Sequence, residues 1–268
     1  MGNVLAFVSI KGGVGKTTLA LETATSLVKN FDKKVLLIDA NFSAPNIGLY
    51  LDLTNDINLH DALEGTPVHN AIYECNGVDI ILTSLHYKGD ADTSKLKKII
   101  NKFKKRYDFI ILDSSPNYEE LKPVIAAADK IYLITSPDNV TLKTTLKAAK
   151  LAKEQNTPIE GIIVNKIRNP KHEFDLRTIE EMSEIPVLAK IKDHKKMAEA
   201  LSKKIPITIL DSRNVVAREV ENFSSALCGI SEGSNFFQRI LPLKEFLGKE
   251  KVNRMILREK FYEDDYKI

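Results

Sequence analysis

The feature that most constrains this chain is an eight-residue segment near its start, K-G-G-V-G-K-T-T at positions 11 to 18. It lies directly after an apolar run from Val4 to Ile10 and before an Ala/Leu-rich stretch that reads as a helix from about Thr17. Strand, glycine loop, helix is an order in which main-chain N–H groups can close around phosphate oxygens. Glycine removes the Cβ that would hold the ligand off, and the amino end of the helix adds partial positive charge. Gly12, Gly13, Val14 and Gly15 would form the cradle, and Lys16 would meet the β- and γ-phosphates. Thr17 would offer its hydroxyl to Mg²⁺, and Thr18 would bond the α-phosphate. The generic template G-x-x-x-x-G-K-[ST] asks for glycine where Ile10 stands, and a second lysine, Lys11, sits inside the loop instead. A glycine-rich turn with chance lysines is the competing account, and eight matching residues in strand–loop–helix context disfavour it.

Short β-rich apolar runs recur along the chain, at Val4 to Val8, Val35 to Ile38, Val78 to Leu82, Phe109 to Leu112, Ile131 to Ile134, Ile159 to Val164 and Pro186 to Ala189. Longer helical patterns separate them, which reads as repeated β-α units. The runs at 35 to 38 and 109 to 112 are continuously apolar, as strands covered on both faces should be. The expectation is an α/β fold, a doubly wound and mostly parallel sheet with helices on both faces, as one domain over residues 1–228. The glycine- and serine-rich stretch at 229 to 234 breaks the pattern and opens a tail over 229–268. No apolar run reaches the roughly 18 residues of a membrane-spanning helix. Cys75 and Cys228 stand far apart without a C-x-x-C pair, against a disulfide scaffold or a metal-cluster carrier. With no signal-peptide pattern at the amino terminus, the expected compartment is the cytoplasm. The 39 basic and 36 acidic residues nearly cancel, so any contact with a polyanion must be local.

The segment at 11 to 18 resembles the hallmark K-G-G-x-G-K-[ST] of the deviant Walker A P-loop ATPases, the MinD/ParA family, with Lys11 at the signature-lysine position. In that family the signature lysine crosses a dimer interface to the phosphates held by the partner. The resemblance therefore implies an ATP-dependent homodimer, with Lys11 and Lys16 both serving the reaction.

Two further strand ends carry carboxylates. Asp39 closes V-L-L-I-D (35 to 39), and Asp113 closes F-I-I-L-D (109 to 113), which resembles a Walker B segment. At the carboxyl edge of an open sheet such groups can hold Mg²⁺ or its water shell, although each alone also suits a helix cap or turn. The family pattern after the second strand is D-x-D, whose second Asp positions or activates the attacking water; here that position is Asn41. An amide cannot serve as a carboxylate base, so slow or partner-dependent hydrolysis is expected, or ATP binding with little hydrolysis. Asn165, ending I-I-V-N (162 to 165), resembles the family asparagine that contacts the adenine edge. The loop at about 191 to 194 matches a second base contact only loosely.

Residues 41 to 53 and 59 to 65 look like the MinD branch, whereas the D-x-D-P-Q-G of ParA proteins is absent. The resemblance implies a switch whose ATP-bound dimer binds a surface and an activating protein partner, with 41 to 50 as the responsive loop. MinD proteins bind membranes through a carboxyl-terminal amphipathic helix. In 235–247, Phe236, Ile240, Leu243 and Leu247 share a helical face, but Pro242 and the acidic end at Glu263, Asp264 and Asp265 oppose a lipid anchor. A tail that packs on its own domain or on a partner is the alternative to peripheral membrane contact. Lys95, Lys97, Lys98, Lys102, Lys104, Lys105 and Arg106 suggest seven cations on one helix. They read better as a solvated outer face than as a track for DNA.

Overall fold

A computed structural model describes residues 2–87, 89, 91–168 and 171–230. Eight strands form one sheet: β1 (Asn3–Val8), β2 (Val35–Ala40), β3 (Ile72–Cys75), β4 (Val78–Ile81), β5 (Phe109–Ser114), β6 (Lys130–Thr135), β7 (Ile159–Ile167) and β8 (Val187–Lys192). Their order across the sheet is β3-β4-β2-β5-β1-β6-β7-β8. Every neighbouring pair is parallel except β3 with β4, which is antiparallel at one edge. The doubly wound sheet expected from the alternation of runs is therefore present. All seven anticipated strands form, several of them longer at the carboxyl end. The candidate tail segment 235–247 lies outside the described residues.

The helices are α1 (Lys16–Phe31), α2 (Ile47–Leu51), α3 (Leu59–Glu64), α4 (Leu96–Asn101), α5 (Tyr118–Ala127), α6 (Asn139–Glu154), α7 (Leu176–Ser183), α8 (Lys195–Lys203), α9 (Ile207–Leu210) and α10 (Val215–Leu227). They fall on two faces because strand side chains alternate. Val4, Ala6 and Val8 of β1 join Leu36 and Ile38 of β2 in a core covered by α3 to α7. Leu5 and Phe7 join Leu37 in a second core under α1 and α10. There Phe223 of α10 meets Tyr132 edge-on at 5.2 Å and Phe7 at 6.2 Å between ring centroids. Such contacts add to area burial in seating α10 beside α1.

The run of cations at 95 to 106 does not form one helix. α4 spans six residues, Leu96–Asn101, and turns follow it. Leu96, Ile99, Ile100 and Phe103 are buried, as the periodicity required. Lys104 pairs with Asp129 at 2.6 Å, and Lys97, Lys98, Lys102, Lys105 and Arg106 are exposed. The residues divide between core and solvent as an outer-face segment should.

Candidate functional site

The loop from Ser9 to Gly15 leaves the central strand β1 and enters α1 at Lys16. Two of its glycines, Gly13 at φ 77° and Gly15 at φ 95°, hold left-handed backbone that L side chains rarely adopt. A Cβ at Gly12 or Gly13 would meet nothing within 4 Å, so the loop's outer wall is open. At Gly15 it would lie 2.3 Å from Nδ2 of Asn165. α1 carries no acidic residue in its first turn, which leaves its positive end uncompensated. Lys16 is nearly buried, and its ammonium donates to the Lys11 carbonyl at 3.3 Å. Burial holds its pKa below the ordinary lysine range, with the Asp113 charge opposing that shift. Thr17 is also buried, and Thr18 lines the same cleft.

Asp39 and Asp113 are paired across neighbouring strands, β2 and β5, and both are fully buried. Strand structure runs on through them to Ala40 and Ser114, so they stand inside the sheet's edge. Burial raises the pKa of each above the ordinary carboxylate range, and in Asp39 the neighbouring Asp113 adds to the rise. Their surroundings differ. Asp39 accepts from the Asn41 amide at 3.2 Å through Oδ1 and from the Asn46 and Ile47 amides, both at 3.0 Å, through Oδ2. It therefore fastens the amino end of α2 to the sheet. Neither oxygen of Asp113 reaches full hydrogen-bond geometry with a protein donor, while the Thr17 hydroxyl and Lys16 ammonium lie close enough to favour its charged form. A fully buried carboxylate with open lone pairs beside a threonine hydroxyl is a donor set suited to Mg²⁺, a hard cation that takes oxygen ligands.

Asn41 is buried at the base of the 41–50 loop. Its amide group donates to the Ala44 carbonyl, and its Oδ1 has no partner among the described residues. Asn165, at the end of β7, donates through Nδ2 to the Val14 carbonyl at 2.8 Å. Ile191, Lys192, Asp193 and His194 line the same cleft, so the loosely matched loop does wall its far side. The cleft, of about 500 Å³, runs from Gly12, Lys16 and Thr17 past Asn41 to Asn165 and His194. That size suits a small ligand.

The structure thus gathers Gly12, Gly13, Gly15, Lys16, Thr17, Thr18, Asn41 and Asn165 around one cleft, with Asp39 and Asp113 beneath it. Val14 is buried in the core under α1 and contributes main chain only. Lys11 is exposed, stands outside the lining of its own cleft, and has no side-chain partner among the described residues. Glu22 and Lys166 are among the lining residues that escaped the sequence reading. Glu22 of α1 is buried and accepts from Ile207 N at 2.7 Å, Thr208 N at 3.0 Å and Thr208 Oγ1 at 2.8 Å, tying the phosphate-loop helix to the segment before α10. Nothing local could reveal a partner so distant in the chain. Lys166 donates to the Gly13 carbonyl at 2.6 Å. Its signal was adjacency to Asn165.

An open glycine loop at the head of α1, two carboxylates on neighbouring strand ends and the Asn165 amide define a P-loop nucleotide-binding protein of the doubly wound α/β class. The chain belongs to the CobQ/CobB/MinD/ParA nucleotide binding domain family, whose sequence profile matches residues 5–207. It is 26% identical over 254 residues to an uncharacterized ATP-binding protein of Methanocaldococcus jannaschii, covering 92% of this chain and 96% of that one. It is also 26% identical over 245 residues to the septum site-determining protein MinD of Bacillus subtilis, covering 86% and 91%. Among solved structures it is similar to septum site-determining MinD of Pyrococcus horikoshii complexed with Mg-ADP. The TM-score is 0.81 and the identity 25%, over 87% of this chain and 98% of that one.

Proposed function

We propose that this chain is a MinD-like switch ATPase that dimerises on ATP and helps position a cellular structure, in division or a related task, with slow or partner-stimulated hydrolysis. The observation that carries the reading is the split between the two loop lysines. Lys16 is drawn into its own cleft, whereas Lys11 is exposed beside it and its ammonium has no partner in its own subunit among the described residues. A cation so placed is free to serve the phosphates of a facing copy. Thr17, Asp113 and Asp39 would hold Mg²⁺, which when bound supplies positive charge to the phosphate oxygens. Asn165 would read the adenine edge with its paired donor and acceptor. Asn41, with an open acceptor oxygen, would orient water without taking its proton.

A surface of membrane, through 235–247, or an activating protein would complete the cycle, because the γ-phosphate favours the closed dimer in a way ADP cannot. The test is light scattering coupled to size exclusion with Mg-ATP or Mg-ADP, with and without anionic vesicles. Wild type should dimerise on ATP alone, and Lys11→Ala should stay monomeric while still binding ADP. ATP-dependent dimers of Lys11→Ala would refute the assignment of Lys11. A salt-sensitive, ATP-dependent shift of duplex DNA would favour a ParA-like partitioning role instead.

A further inference from the structure

The end of β7 is irregular in a way that aims two consecutive side chains at the phosphate loop. Val164 pairs with Lys190 and Ile167 with Lys192, so three steps on β7 oppose two on β8 and one residue is extra. Lys166 stands in this bulge with φ 59°, left-handed backbone that strains a non-glycine residue. In a regular strand Asn165 and Lys166 would point to opposite faces of the sheet. Here both reach the same loop, Asn165 Nδ2 donating to the Val14 carbonyl at 2.8 Å and Lys166 Nζ to the Gly13 carbonyl at 2.6 Å.

Two successive carbonyls of the loop are therefore held from one side. In a planar trans peptide the C=O and the following N–H point in opposite directions. Holding the carbonyls of Gly13 and Val14 towards β7 turns the amides of Val14 and Gly15 the other way. Among the described residues no acceptor meets either amide. We infer that Lys166 is a positioning residue for phosphate binding: from the base-reading strand, it orients the amide cradle by gripping the Gly13 carbonyl. The bond is charge-assisted and so among the stronger kinds, and the strained backbone at Lys166 is the local cost of making it. The inference rests on the nucleotide-binding reading of the cleft and adds a residue to it.

The experiment is calorimetric titration of Mg-ADP and of AMP into the full chain and into Lys166→Met, Lys166→Gly and Lys166→Arg, each first checked for a cooperative melt. Lys166→Met should bind Mg-ADP about ten- to a hundredfold more weakly, the scale of one lost charge-assisted bond. AMP, which lacks the β-phosphate, should change by less than about threefold, and Lys166→Arg should recover most of the ADP affinity. Lys166→Gly relieves the backbone strain yet removes the ammonium, so it should be as weak as Lys166→Met. Wild-type affinity for ADP in Lys166→Met or Lys166→Gly, or an equal loss for ADP and AMP, would overturn the inference. Failure of wild type itself to bind ADP would instead strike at the reading of the cleft.

Discussion

Replacing Asn41 by aspartate probes stability and chemistry together, and the two should move in opposite directions. In the folded protein the Asn41 amide donates to the Ala44 carbonyl, a bond that aspartate cannot make; its loss costs about 1 kcal/mol. The new carboxylate would also stand buried two residues from Asp39, whose own carboxyl is already pushed up by burial and by Asp113. A like charge in such a place adds about 1–2 kcal/mol. A total of about 2–3 kcal/mol should lower the melting temperature of the nucleotide-free protein by about 5–10 °C for a chain of this size. The carboxylate also supplies the base that Asn41 lacks. General-base catalysis contributes roughly 10²–10⁴-fold, but part of that is already in hand if Asn41 positions the water as proposed, so a rise of about ten- to a hundredfold is expected. Single-turnover hydrolysis of Mg-ATP with protein in excess isolates this step from product release. An unchanged or slower rate in Asn41→Asp, with ATP still bound, would refute the view that this position limits hydrolysis. An unchanged melting temperature would refute the stabilising role given to the bond from Asn41 to the Ala44 carbonyl.

Two other outcomes follow from the site's geometry. Gly15→Ala forces a left-handed alanine and places its Cβ 2.3 Å from the Asn165 amide, so ADP affinity should fall by at least about tenfold in calorimetric titration; wild-type affinity would show that the loop relaxes freely. Asp39, Asp113 and Glu22 all have folded pKa values raised by burial, so between the ordinary carboxylate range and those raised values the folded state binds more protons than the unfolded chain. Stability contributed by these groups is then greatest at low pH and is lost as pH rises through that window. The nucleotide-free protein should melt at a lower temperature at about pH 8 than at about pH 6, and Mg²⁺ with ADP should flatten the slope; a rising melting temperature over that interval would contradict the assignment.

Much of the fold was legible because its strands are covered on both faces, which forces continuous apolar runs such as Phe109 to Leu112. β3 was not foreseen, since Ile72–Cys75 is short, half-buried and antiparallel at an edge, where no face demands uniform apolarity. Yet Asn76-Gly77, at φ 55° and 80°, is the dipeptide that a tight hairpin requires, and it stood in plain sight between the two runs. The cation-rich segment misled in length. Leu96, Ile99, Ile100 and Phe103 keep helical spacing, but a chain in successive turns also buries residues three apart, so periodicity alone could not say where α4 stops.

The site divides along a different line, between what a residue is and what holds it. Glycines, lysines and strand-end carboxylates announce themselves by type and position, because phosphate and divalent cations accept few other groups. Asp39 was legible as a carboxylate at the sheet's edge but not as the anchor of α2, since its partners Asn46 and Ile47 become neighbours only when the loop folds back. That double use ties the two readings of Asp39 together. A carboxylate fastening the amino end of α2 is also the one paired across the strands with Asp113, so any cation held at Asp113 would sit against the group that holds Asn46 and Ile47 in place. No sequence pattern carries such a connection, because it depends on strands β2 and β5 ending in register, and that register is set by the packing of two whole faces of the sheet.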